Sequence, residues 1–222
     1  MMAGTLTTAW VLEVVMFWLL SQPETLRKLK QELREAIPKP DDIGILPLPL
    51  LEQLPYLNAV IKEGFRLTYG VSCRLARIDP DDPIDYVDPA TNRTWHIPAG
   101  TPVGLTGVQI HHDESIYPNS KLFSPERWLD ASGQLTKHLD RYMVSFCAGS
   151  RQCMGINLAH AELYLCLSAI WRVWGSKGVR GEGDVGWFEL FETGLRDVEI
   201  ESDAFLPIQQ KGTKGIRVKA YS

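Results

Sequence analysis

The sequence predicts a mainly α chain with small β-sheets, an α+β arrangement. Three observations carry this. Residues 3–20, 51–68 and 154–174 are long stretches, apolar nearly throughout or with apolar residues at three- and four-residue spacing. Residues 94–97, 187–192, 198–200 and 216–220 are short β-prone runs bounded by glycine, proline and polar residues. A composition of 45% hydrophobic and 23% charged residues over 222 positions is ordinary for a globular chain of one large or two small domains. The formal net charge of −4 gives no electrostatic support to a general nucleic-acid role. Cys73, Cys147, Cys153 and Cys166 form no C-x-x-C pair, so free thiols are expected rather than a structural zinc site.

The first helix, 3–20, is apolar enough to expect burial. Its apolar run at 14–20 is too short to cross a bilayer, so no membrane span is expected, and no basic leader or cleavage site marks a signal peptide. Ala3, Gly4, Thr7 and Thr8 share one side at its start, by the three-and-four spacing. Such a face lets something approach closely. Equally, a threonine there can bond back to the carbonyl four residues earlier. Pro23 suits the first turn of a second helix running to about Ile37, where Pro38 and Pro40 end it. Its Lys, Arg and Glu residues read as a solvated face, and 38–50 as a loop.

The third helix, 51–68, packs through Leu57, Val60, Ile61, Gly64 and Phe65. Glu63 and Arg66 are three apart on it, and periodicity alone places them as an exposed pair of little energetic worth. Residues 79–89 read as an acidic, proline-rich loop. Strands are expected at 94–97 and 102–110, with Pro98-Ala99-Gly100 turning between them. His111-His112-Asp113 has no third ligand at a standard metal spacing, so both histidines read as structural. Residues 122–142 read as irregular. The helix at 154–174 is apolar nearly all round and is expected to be buried. A glycine-rich loop at 176–185 precedes the C-terminal strands, and no internal repeat is present.

The chemistry concentrates in Phe146-Cys147-Ala148-Gly149-Ser150-Arg151-Gln152-Cys153-Met154-Gly155. This is a loop feeding a helix, with Cys153 near the helix N-terminus, where partial positive charge favours a thiolate. A thiolate suits a soft metal site. Gly149 and Gly155 let backbone pass close to a large flat object, and Arg151 offers a donor fork to a carboxylate.

The pattern F-x-x-G-x-R-x-C-x-G resembles the haem loop of the cytochromes P-450, the haem-thiolate monooxygenases, and is most like that of fungal members. The resemblance implies haem b, with the sulfur of Cys153 as axial ligand to iron. It makes Phe146, Gly149, Arg151 and Gly155 haem-contacting residues and gives Arg77 a propionate. Ala3-Gly4-Thr5-Leu6-Thr7-Thr8 resembles the family's distal helix, whose threonines, here Thr7 and Thr8, relay protons during oxygen activation. Leu6 stands where the family usually has Asp or Glu, which implies weakened proton delivery. Glu63-Gly64-Phe65-Arg66 matches E-x-x-R, and Pro125-Glu126-Arg127-Trp128 matches P-E-R-aromatic. The resemblance therefore implies a buried Glu63–Arg66–Arg127 network and a substrate-closing hairpin near 203–210. It covers residues 1–222 as a single partial domain, beginning at the distal helix, with the family's N-terminal half absent. It also implies NADPH as electron source, a cytochrome reductase partner and a small organic substrate, in secondary metabolism among fungal members. Full-length members are usually anchored to the endoplasmic reticulum membrane. Two alternatives stand beside the monooxygenase: a truncated non-catalytic remnant, and a haem-dependent rearrangement enzyme that uses no dioxygen.

Overall fold

The computed structural model describes residues 2–44 and 47–222. The Ala3 side chain of the small-residue face and positions 45–46 of the expected loop lie outside the described residues. Three long helices form the frame: α1 (Met2–Ser21), α2 (Pro23–Ala36) and, after the short α3 (Leu48–Leu51), α4 (Pro55–Thr68). The expected helix at 51–68 is thus broken. Its true start is Pro55, which suits a first turn but cannot continue a helix from before it. α1 packs on α4, where an added Cβ on Gly64 would lie 2.5 Å from Val15. Val11, Val14, Val15, Phe17 and Leu19 of α1 are buried in the main core with Leu57, Val60 and Ile61 of α4. An 18-residue window of α1, Gly4–Ser21, has the length and composition to cross a bilayer, longer than the seven-residue run that catches the eye. Of that window, 39% is buried, by packing against α2, α4 and α6 (Ile156–Val173).

Two helices differ from expectation in what they bury. On α2, Lys30 is 1% exposed, not part of a solvated face. Its ammonium donates to Trp171 O at 3.0 Å, Trp174 O at 2.5 Å and Asp184 Oδ1 at 2.9 Å. Burial pushes its pKa down, and Asp184 works against that shift. Glu32 of the same helix accepts the N–H groups of Tyr56 and Leu57 at 2.7 and 2.8 Å, supplying acceptors for the first turn of α4. On α6, only one face is buried, through Leu163, Tyr164, Leu167 and Trp171, while Leu158 and Leu165 are exposed. An all-round apolar pattern signals burial only if every face has a partner.

The sheets are small. β1 (Ile84–Val87) and β2 (Thr94–Ile97) form an antiparallel hairpin, so the acidic 79–89 segment contains a strand. Asn92 at φ 54 makes the turn between them. The expected strand at 102–110 is instead one bridge, Val103 to Arg77, followed by α5 (Gly107–His111). Thr106 caps α5 by accepting the Val108 N–H at 3.1 Å, which diverts the chain from extended structure. β3 (Trp174–Ser176), β4 (Gly186–Leu190) and β7 (Val218–Tyr221) form a mixed sheet. β5 (Ile200–Ala204) and β6 (Leu206–Gln209) form a hairpin that overlaps the one expected near 203–210, and the strand expected at 198–200 meets β5 only at Ile200.

Candidate functional site

The site rests on a buried polar lock. Glu63 and Arg66 of α4 are both 0% exposed, against the exposed pair that periodicity suggests. Glu63 Oε1 accepts from Arg66 Nη2 at 2.8 Å, Arg127 Nε at 3.0 Å and Ser124 N at 2.9 Å. Its Oε2 accepts from Arg66 Nε and Trp128 Nε1, both at 2.9 Å. Arg66 places its remaining donors on three carbonyls, of His111 at 2.8 Å, Ser120 at 2.6 Å and Leu122 at 3.1 Å. A buried ion pair survives when its spare donors and acceptors are also met, and here they are. The lock joins α4 to the irregular 118–128 segment, which leads to the cysteine loop.

His111 adds a second tie. Val144 N–H donates to its Nε2 at 3.2 Å, so Nδ1 carries the proton and donates to Arg66 O at 2.8 Å. Burial pushes its pKa down to about 4, which keeps the ring neutral. The histidine pair is therefore structural at its first member. His112 bonds Tyr69 and Ser120 rather than joining any cluster of ligands.

The cysteine loop hangs from these ties. Ser145 Oγ donates to Phe65 O at 2.8 Å. Gly70, at φ 68, lies so close to Ser145 that an added Cβ would sit 2.4 Å from its carbonyl oxygen. The Phe146 ring packs edge-on against Phe65 at 4.7 Å, and Phe146 O accepts the Cys153 N–H at 3.0 Å. A 3-10 turn, Gly149–Arg151, fills the space between, and Gly155 caps α6. Cys153 is exposed.

A cleft of about 420 Å³ adjoins this loop, lined in part by Val71, Cys73, Leu75, Arg77, Val144 and Cys147. Ser72 ties its wall to the C-terminal hairpin, donating from N to Phe205 O at 3.1 Å and from Oγ to Asp203 at 2.8 Å. The structure thus brings Arg77 to the cleft, while Arg151 and Cys153 are exposed and are not among its lining residues. Thr7 is half-buried and Thr8 5% exposed on α1, which packs on both α4 and α6.

The family model of cytochrome P450 matches residues 1–174 of this chain. The chain belongs to the cytochrome P450 family. Among its relatives, the cytochrome P450 monooxygenase tpcC of Cochliobolus heterostrophus is 49% identical over 98% of this chain and 40% of its own length. The cytochrome P450 monooxygenase astB of Talaromyces wortmannii is 45% identical over 98% of this chain and 43% of that relative. The N-acetyltryptophan 6-hydroxylase ivoC of Emericella nidulans is 36% identical over 98% of this chain and 39% of that relative. The P450 chain described here therefore spans about two fifths of the length of the curated relatives it matches.

The residues present fit the haem that a P450 carries. Cys153 offers an exposed thiol donor. Among the described residues neither Arg77 nor Arg151 is ion-paired; Arg77 Nη1 donates to the carbonyls of Leu75 and Ala76, and the rest of its fork and the Arg151 guanidinium would suit propionate carboxylates. A Cβ added at Gly4 or Gly149 would meet nothing within 4 Å, so both backbones face open space. Sequence reasoning missed several members of this P450 site. Trp128 is a direct donor to Glu63, although its P-E-R-aromatic context was a visible signal. Cys73 and Cys147 line the cleft, and only the position of Cys147 inside the loop pattern hints at it.

Proposed function

We propose that this P450 chain is the cysteine-bearing part of a haem-thiolate monooxygenase that inserts one oxygen atom from dioxygen into a small organic substrate. Residues 1–222 are proposed to belong to a single domain. The observation that carries the reading is the complete F-x-x-G-x-R-x-C-x-G loop, seated on the filled Glu63–Arg66–Arg127 lock. When bound, haem with a thiolate ligand supplies dioxygen activation. Cys153 Sγ would hold the iron, and the guanidinium groups of Arg77 and Arg151 would hold the propionates. The hydroxyls of Thr7 and Thr8 would hold and pass protons. Electrons would come from NADPH through a reductase. The names of the relatives, monooxygenases and an N-acetyltryptophan 6-hydroxylase, support oxygen insertion, and their fungal sources support a role in secondary metabolism. The test is turnover of the full-length protein with reductase and NADPH under isotope-labelled dioxygen, with one labelled atom expected in the product. Product without label would replace this reading with a haem-dependent rearrangement.

Leu6 separates the two readings. It is 49% exposed on α1, one position before Thr7, and a leucine side chain cannot carry protons. A missing relay member slows proton delivery, and reducing equivalents are then lost as hydrogen peroxide. Leu6→Glu in the full-length protein is expected to raise the product formed per NADPH consumed. Peroxide-driven turnover should change less, because it bypasses the reduction of dioxygen. No gain in coupling would show that Leu6 is neutral or that dioxygen is not the oxidant.

A further inference from the structure

His160 lies on α6, the helix that follows Cys153, and no role above uses it. Its ring packs against Phe65 with centroids 4.9 Å apart, Phe146 at 5.6 Å in a stacked arrangement, and Tyr164 at 6.1 Å. Among the described residues neither ring nitrogen has a hydrogen-bond partner. Phe146 is the residue whose carbonyl holds the Cys153 N–H at 3.0 Å. Its ring therefore packs against both Phe65 and His160, which also touch each other, so the imidazole is one of three mutually packed rings behind the loop that presents the thiol. An aliphatic or phenyl side chain would brace Phe146 equally well. Histidine adds a group that can acquire charge in an apolar setting, where charges act strongly on one another.

We propose that His160 is a positioning residue for the cysteine loop, bracing Phe146 and coupling the charge of its own ring to the electron affinity of haem iron held by Cys153. The proposal rests on the haem-thiolate reading above. A positive charge beside the loop favours adding an electron to the site, and by reciprocity the added electron favours protonation of His160. The iron potential then rises as pH falls. Burial and the charge of Lys62 on α4 both push the pKa of His160 down, so the ring is neutral near pH 7 and the coupling emerges on the acid side. Lys62 is itself paired with Asp140. The other ionisable group packed on the ring is Tyr164 on the same helix.

The experiment is a spectroelectrochemical titration of the full-length holoprotein from about pH 5 to 8, the range in which histidines change charge. Wild type is compared with His160→Phe, which keeps a stacking ring, and with His160→Gln as a second uncharged variant should the first fail to load haem. The wild-type potential is expected to climb as pH falls, with both variants following a flatter line that meets it at the alkaline end. Parallel curves, or a wild-type potential independent of pH, would overturn the role of His160. The carbon monoxide spectrum of the same samples separates the two readings. Absence of a thiolate-type band in wild type refutes haem ligation by Cys153, whereas an intact band with parallel curves refutes the His160 coupling alone.

Discussion

Glu63→Ala is expected to cost about 3–5 kcal/mol of stability, at the upper end of that range. The carboxylate is the common acceptor for Arg66, Arg127, Ser124 N–H and Trp128 Nε1, and Arg66 is 0% exposed. Removing it leaves a buried guanidinium with no countercharge, and an indole N–H and a backbone N–H with no acceptor. A typical domain is stable by only about 5–15 kcal/mol, so such a loss removes a large part of the stability. The damage also reaches the cysteine loop, because Arg66 O receives the proton of His111, whose other nitrogen holds Val144 N–H. Denaturant unfolding of the full-length protein, with holoprotein yield, gives the check. A loss below about 1 kcal/mol would mean that the pair behaves as a surface ion pair, despite its burial.

The parts of this fold that were legible in the sequence are those with a local cause. α1, α2 and α6 lie close to where apolar pattern and proline place them, and Thr94–Ile97 forms a strand at the expected residues. The parts that were not legible have a distant cause. Lys30 reads as solvated because its countercharge, Asp184, comes from the loop before β4, far along the chain. Ile84–Val87 reads as loop because aspartates surround it, and only pairing with β2 makes it a strand. The exposed face of α6 was hidden by the opposite error, because an apolar pattern does not state how many faces find a partner.

The site divides in the same way. The Cys153 loop stands out in the sequence because the proposed chemistry needs particular side chains at fixed offsets. Glu63, Arg66 and Arg127 were legible through motif resemblance, whereas their spacing alone pointed to the surface. The acceptors that complete Arg66 are the carbonyls of His111, Ser120 and Leu122. Every residue carries such a group, so no sequence pattern marks these three. The role of His160 was invisible for a related reason. A lone histidine in an apolar helix has no signature until its neighbours, Phe65 and Phe146, are brought to it by the fold.

Cys153→Ser is expected to abolish thiolate-ligated haem altogether. A serine hydroxyl is a hard, weakly acidic oxygen donor, and it cannot replace the soft thiolate that such an iron site uses. The loop offers a built-in control. Cys147 lies six residues earlier, is half-buried, and has its backbone at φ 58 in the left-handed region. It lines the cleft rather than standing at the exposed end of the loop beside the start of α6. The measurement is the carbon monoxide difference spectrum of the reduced full-length protein in three forms: wild type, Cys153→Ser and Cys147→Ser. The band of thiolate-ligated haem is expected in wild type and Cys147→Ser and absent from Cys153→Ser. A band that survives in Cys153→Ser and disappears in Cys147→Ser would contradict the assignment of the iron ligand on which the account depends.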